Sequence, residues 1–336
     1  MYERHCETPG YAHPIDWDLC PPTFADIIAA RRRVAGVIRP TPMLPAPELA
    51  GLGGPVLLKA ECLQETGSFK VRGAANTLLS LGEEEGRAGV VAVSSGNHGR
   101  AVAFVARSLG IAAAVCVSER VPAVKVDAMR SLGARVVVAG PDQDDADAAA
   151  RAIVAETGAT FVHPFDDPRV IAGQGTLGCE IVDEVPDVAS IVVPLSGGGL
   201  VAGVALAAKQ MRPGVRVFGV SQDRGPAMHD SLAAGRLVEV VEEDTLADAL
   251  AGGLGPENHH TLRMCRDLLD GVVLVSEAEI AAAMRHLRGH HGLRVEGGGA
   301  VGVAALAAGR ISPPGPTVVV ISGGNVSDAT WESVTG

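Results

Sequence analysis

Glu65-Thr66-Gly67-Ser68-Phe69-Lys70-Val71-Arg72-Gly73-Ala74 sets one of the chain's four lysines in an apolar, glycine-flanked stretch, where a solvated surface lysine is not expected. A desolvated lysine loses its proton more readily and becomes a nucleophilic amine, the group that Schiff-base chemistry with a carbonyl requires. Two polar loops far away in the chain extend this reading. Ser94-Ser95-Gly96-Asn97-His98-Gly99 follows the apolar run 90–93, and Ser196-Gly197-Gly198-Gly199-Leu200 follows the run 191–194. Small residues between a strand and a helix let backbone N–H groups approach a phosphate, with the helix dipole aligned to favour the anion. The glycine loop is neither a Walker A sequence nor a GxGxxG fingerprint, so the phosphate need not belong to a nucleotide. A third loop, Ser322-Gly323-Gly324-Asn325, follows the run 317–321 and offers a hydroxyl to a ring nitrogen. Taken singly, the glycine loop is equally an ordinary turn, and the other two are weaker signals still. Together with Lys70 they suggest a cofactor bearing an aldehyde and a phosphate.

The periodicity around these motifs alternates strand and helix. Short apolar strands are expected at 56–59, 90–93, 112–117, 135–138, 160–162, 190–194, 215–220, 272–275 and 317–321. Helices are expected from Ser68 or Phe69 through Leu79, at 99–109, 121–132, 144–157, 173–185, 200–211, 276–289 and 296–308. Thr23 reads as the N-cap of an amphipathic helix. This alternation implies an α/β fold with parallel sheets and right-handed crossovers. At 336 residues the chain suits about two domains. We expect an N-terminal extension at 1–22, a large domain from 23–84 and 166–336, and a small domain at 85–165 inserted in it.

Composition excludes several classes. A net charge of -11 argues against a nucleic-acid partner, and no apolar run is long enough to span a bilayer. Residues 1–22 lack the apolar core of a secretion signal. The six cysteines (Cys6, Cys20, Cys62, Cys116, Cys179, Cys265) show no CxxC pair and read as reduced thiols of a cytoplasmic protein.

The motifs together resemble the serine/threonine dehydratase family of fold-type-II pyridoxal-phosphate (PLP) enzymes, which includes serine racemases. The resemblance runs from about Arg31 to Asn325. It is carried by Leu63-Gln64 through Ala74, by Ser94 to Gly99, by His163-Pro164-Phe165-Asp166-Asp167 through Gly173-Gln174-Gly175-Thr176, by the glycine loop, and by Ser322 to Asn325. It implies a tryptophan synthase β-like fold, two parallel-rich α/β domains with PLP between them, and a homodimer. By the same resemblance Lys70 forms the Schiff base with PLP and shuttles the Cα proton, and Phe69 packs by the cofactor. Asn97 hydrogen-bonds the phenolic oxygen, Ser196, Gly197, Gly198, Gly199 and Leu200 cradle the phosphate, and Ser322 faces the pyridine nitrogen. Ser94, Asn97 and the backbone at His98 receive the substrate carboxylate, while Ser95 is the acid/base on the opposite face. A hydroxyl at Ser322, unlike a carboxylate, does not hold the pyridine nitrogen protonated. The ring is then a weaker electron sink, which favours prompt β-elimination. The implied reaction converts a β-hydroxy α-amino acid to a 2-oxo acid and ammonia.

Departures from the family pattern bear on substrate and metal. Ser196 stands where the phosphate loop usually begins with glycine. Ser221 and Ala227 stand where racemase-like members carry acidic metal ligands, so no metal is expected there and a racemase reading is weakened. Ala249, Gln64-Glu65-Thr66 and Glu296-Gly297-Gly298-Gly299-Ala300-Val301 look like the hydroxyectoine-utilisation dehydratase branch. That branch, a racemase and a β-replacement synthase stand as the alternatives. No regulatory domain follows Asn325 before Gly336, so feedback control is not expected. His286 and His290 fall four apart on one helix. No acidic or thiol ligand lies nearby in sequence, and Arg285 and Arg288 would repel a cation, so they read as a solvated face. His259-His260 reads as loop, and Glu296 as either a helix-leading carboxylate or a neighbour of the cofactor.

Overall fold

The computed structural model describes residues 20–50, 53–94, 96–121 and 123–336. Most of the expected extension therefore lies outside the described residues, and so does Ser95.

Among the described residues, ten strands form two sheets. They are β1 (Met43–Pro45), β2 (Val56–Lys59), β3 (Val90–Val93), β4 (Ala113–Val117), β5 (Arg135–Val138), β6 (Thr160–Phe161), β7 (Ser190–Pro194), β8 (Arg216–Gln222), β9 (Gly271–Val275) and β10 (Thr317–Val320). The larger sheet has the order β1-β2-β10-β7-β8-β9 and the smaller one β5-β4-β3-β6. Every pairing is parallel except β1 with β2, where Leu44 faces Leu58. The fold is α/β with parallel-rich sheets, as expected. β1 was not expected: its three residues are too few to show a period, and it is held as an antiparallel edge by pairing alone.

Successive side chains of the central strands serve different cores. Ile191 and Val193 of β7 and Val318 and Val320 of β10 join Leu177, Ile181 and Leu206 on one face. Val192 and Val319 join Leu58, Val301 and Met284 on the other. β3 divides likewise, Val90 and Ala92 to one layer and Val91 and Val93 to another. A strand covered by helices on both faces has no polar side to show, which is why these strands read as unbroken apolar runs. Each such Val or Ile contributes roughly 1.5–3 kcal/mol by burial.

Helix starts depart from the expected ones for local reasons. The lysine helix begins at Lys70, not Ser68, because Ser68 bridges Gly323 and the Phe69 N–H donates to the Ser322 carbonyl. The helix expected from 173 spans Pro168–Glu184, five residues earlier: Asp167 accepts from the N–H groups of Arg169 and Val170, and Pro168 fills a first-turn position. Thr23 forms a capping box with Asp26. Short helices at Glu83–Ala88, Ala227–Ala234, Thr261–Leu268 and Asp328–Thr335 went unexpected.

Among the described residues, no helix is long and apolar enough to cross a membrane. Cys62, Cys116, Cys179 and Cys265 are free and buried. Cys20 is disulfide-bonded, against the reduced state expected of all six cysteines.

Candidate active site

Four loops at strand ends build the site. β2, β10 and β7 are adjacent and parallel. The segment leading to Lys70, the Ser322 loop and the Ser196 loop therefore all leave the same edge of one sheet, where α/β proteins bind ligands. The loop after β3 approaches from the smaller sheet.

Backbone bonds stitch the Lys70 loop to the Ser322 loop. The Phe69 N–H donates to the Ser322 carbonyl at 3.0 Å, and the Gly324 N–H to the Gly67 carbonyl at 2.9 Å. Ser68 and Ser322 are buried, and the residue after Ser322 pairs with Ser68 as an isolated antiparallel bridge. A neutral hydroxyl is thereby held beside the lysine loop, at the end of the central strand.

Lys70 Nζ donates to the Pro164 carbonyl at 2.7 Å and lies 5.3 Å from the Phe69 ring centroid. The residue is half-buried, but its ammonium end is ringed by protein. Burial lowers its pKa from 10.5 to about 8, with the Glu296 charge opposing the shift. A neutral amine is thus accessible near physiological pH, as the sequence setting suggested.

Pro164 leads directly into the wall of the glycine loop. A side chain at Gly197 would meet the Phe165 ring at 2.3 Å, and one at Gly199 the Phe165 carbonyl oxygen at 2.6 Å. Gly198 has φ +88°, and a side chain there would meet Met228, Thr261 and Cys265 at 2.8–3.0 Å. Glycine is required at all three positions by space, and at Gly198 also by conformation. The loop opens the helix Gly199–Met211, whose first N–H groups point toward it; Ser196 is half-buried and Leu200 buried. Asp166 fixes the opposite wall by accepting from the N–H groups of His259 (2.6 Å), His260 (3.0 Å) and Thr261 (2.8 Å). His259-His260 therefore acts through its backbone, as the start of a helix braced against the glycine loop.

The β3 loop joins the site through Asn97, the first residue of the helix Asn97–Leu109. Its amide donates to Glu296 Oε1 at 2.8 Å, and its carbonyl oxygen accepts from Asn325 Nδ2 at 2.6 Å. Asn325 also donates to the Thr66 carbonyl and accepts from Arg100. One Asn97 amide hydrogen remains for a ligand. Glu296 is buried beside Gly323, and burial, helped by the Asp248 charge, raises its carboxyl to about 7. Its partnership with Asn97 was not expected; the only sequence signal was a carboxylate preceding three glycines.

His98 Nε2 pairs with the Val162 carbonyl, and burial, reinforced by the Lys70 charge, lowers its pKa to about 3. His163 Nδ1 accepts from the Phe165 and Asp166 N–H groups, and burial lowers its pKa too. Both rings are neutral, so neither brings a positive charge to the site. Ser94 Oγ accepts from the Gly96 N–H at 3.2 Å, leaving its hydroxyl hydrogen to donate outward. Ser221 is buried and bonds the Gln222 carboxamide, and Ala227 is buried too.

Behind the lysine helix lies a charged network that was also unexpected. Arg72 makes paired bonds to Glu61 (2.7 and 2.8 Å) and to Glu180 (2.6 and 2.9 Å). Lys59 bonds Glu184 and the Thr41 carbonyl, and Thr41 donates to Glu61. Burial would raise the Glu61 carboxyl, but Arg72, Thr41 and Lys59 hold it below its ordinary value. Arg72 follows Lys70 by two residues, so this network anchors the helix start that carries the amine.

The residues present fit pyridoxal phosphate: a glycine cradle that any side chain would fill, a buried amine of lowered pKa, and a neutral hydroxyl beside it. Comparison with known proteins agrees. The family described as "Pyridoxal-phosphate dependent enzyme" matches residues 34–323. A "Putative threonine dehydratase" of Sinorhizobium fredii is 49% identical over 306 residues, 90% of this chain and 92% of that protein. An "L-threonine ammonia-lyase" of Geobacter sulfurreducens is 48% identical over 83% of this chain and 69% of its own length. The structure of maize serine racemase superposes with a TM-score of 0.87 at 34% identity, covering 93% of this chain and 96% of that one. Likeness on this scale, spanning every loop of the site, leaves one conclusion: the chain belongs to the fold-type-II PLP-dependent enzymes, in the group that holds threonine dehydratases and serine racemases.

Proposed function

We propose that this enzyme is a dehydratase/deaminase that converts a β-hydroxy α-amino acid of the threonine or serine type to a 2-oxo acid and ammonia. PLP, when bound, supplies an aldehyde that condenses with amines and a ring that accepts the electron pair released at Cα. Lys70 supplies the amine that holds the cofactor and takes the Cα proton at Nζ; such proton transfer typically contributes about 10²–10⁴-fold. The Pro164 carbonyl steadies Nζ, and Phe69 would pack by the cofactor. Backbone N–H groups from Ser196 to Leu200 would hold the phosphate, Asn97 would meet the phenolic oxygen, and Ser322 would offer the ring nitrogen a neutral hydroxyl. Ser94, Asn97 and the His98 backbone would receive the substrate carboxylate, and Ser95 is proposed as a second acid/base. Loss of the Cα proton and the β-hydroxyl gives water and an enamine, which tautomerises and takes up water to release ammonia.

What supports this reading most is the junction of the Lys70 and Ser322 loops, which fixes a hydroxyl rather than a carboxylate at the end of β10. The named relatives support it too. We propose the domains 23–84 with 166–336, and 85–165 inserted between them; the separate smaller sheet β5-β4-β3-β6 supports that division. A cytoplasmic homodimer completes the proposal.

The test titrates PLP-supplemented protein with threonine, serine, 3-hydroxyaspartate and phenylserine, following the visible cofactor band, 2-oxo acid and ammonia. Stoichiometric 2-oxo acid and ammonia are expected, and Lys70→Ala abolishes both. Inverted amino acid without 2-oxo acid, or an active Lys70→Ala protein, overturns the proposal.

A further inference from the structure

Glu48, His286 and His291 meet at the end of the large sheet opposite the loops of the active site. Glu48 lies in the turn Pro47–Leu49 after β1, and the two histidines lie in the last turns of the helix Glu277–His291. His286 Nε2 is 3.1 Å and His291 Nε2 2.8 Å from the same oxygen, Glu48 Oε1, and all three donor atoms fall within 4.8 Å of one another. The site is partly sheltered: the His291 side chain is 8% exposed, and those of Glu48 and His286 are 23% and 22% exposed. His290 stacks on His286 with ring centroids 4.4 Å apart, which fixes the ring that carries the second donor.

The objections raised by the sequence do not survive the fold. An acidic ligand is present, 238 residues from His286 in the chain. Arg285 and Arg288 do not face the cluster; they donate to the Val334 carbonyl and to Thr335 on the helix Asp328–Thr335. The carbonyl end of the histidine helix itself favours positive charge.

We propose that Glu48, His286 and His291 form a site for a borderline divalent transition metal such as Zn²⁺, clamping the β1–β2 turn to the end of this helix. Two imidazole nitrogens and one carboxylate oxygen suit zinc, nickel or cobalt over calcium or magnesium, and leave a position for water. Bonds of about 2.0–2.1 Å in tetrahedral geometry set donors roughly 3.3 Å apart. The two distances to Glu48 Oε1, 3.1 and 2.8 Å, are already close to that spacing.

The test uses tag-free, PLP-loaded enzyme. Zn²⁺ is titrated by calorimetry, and Co²⁺ by its visible ligand-field bands. One equivalent is expected to bind. Glu48→Gln weakens binding at least tenfold, His291→Ala abolishes it, and His290→Ala leaves the coordination bands in place. Turnover by all three variants stays at the wild-type level, which reports that they fold. Absence of stoichiometric binding to the wild type, or equal binding by wild type, Glu48→Gln and His291→Ala, overturns the proposal.

Discussion

The Asn97 amide donates to the Glu296 carboxylate across 2.8 Å, joining residues 199 positions apart in the chain. Each stands at the start of a helix, one from beside the smaller sheet and one packed on the larger. The Glu296 carboxyl is raised from 4.5 to about 7 by burial first and by Asp248 second. A raised carboxyl keeps its proton in the fold where the unfolded chain has lost it. Its favourable contribution is complete below about 4.5 and is lost as pH rises through about 7. In cofactor-free protein, Glu296→Gln should therefore gain on wild type by up to about 3 kcal/mol between pH about 4 and about 8. Urea unfolding across that range measures the difference, and a pH-independent gap refutes the assignment.

The lowered pKa of Lys70 predicts how cofactor uptake depends on pH. Only the neutral amine attacks an aldehyde. The rate at which apoenzyme regains its visible band should rise about tenfold per pH unit and level off near the Lys70 value of about 8. Stopped-flow mixing with PLP gives this profile. A plateau reached only near 10.5, the ordinary lysine value, contradicts the buried setting.

Gly198→Ala tests the proposed phosphate cradle. Its φ of +88° and its contacts with Met228, Thr261 and Cys265 leave no room for a methyl group. Left-handed backbone costs a non-glycine residue roughly 1–2 kcal/mol, and the loop must shift to relieve it. PLP affinity, read by absorbance titration, should fall about tenfold or more.

Removing Arg72 tests the network behind the lysine helix. Arg72 and Glu61 are both fully buried. Arg72→Met should destabilise the protein by about 3–5 kcal/mol, because it strands a buried carboxylate. Adding Glu61→Gln to Arg72→Met should recover part of that loss. Denaturant unfolding of the three proteins decides it, and a loss that the second substitution deepens counts against the pairing.

Much of this architecture is legible in the sequence because its signals are local. The strands read correctly since residues such as Val192 and Val193 are apolar on both faces, and Lys70 stands out because its neighbours are small and apolar. What was not legible depends on partners remote in the chain. Glu296 looks like any helix-leading carboxylate until Asn97 reaches it. Glu61 and Glu180 look like surface acids until Arg72 lies between them. Asp166 reads as one polar turn residue, though it holds three N–H groups of a segment more than ninety positions away. β1 and the shorter helices are too brief to carry a period. The early start of the helix Pro168–Glu184 was present in the pair Asp167-Pro168, but the glycines further along masked it.

The strand order has a consequence for synthesis. β10, at 317–320, is the last strand to be translated, yet it lies between β2 and β7. While the chain is still emerging from the ribosome, those two strands must expose open edges to one another and to their surroundings, with no neighbour to close the gap. The larger sheet is then zipped shut from its middle, and Ser322 arrives with the closing strand. A nascent chain truncated before β10 should therefore lack a continuous larger sheet and any affinity for cofactor, and it should be the species that chaperones hold.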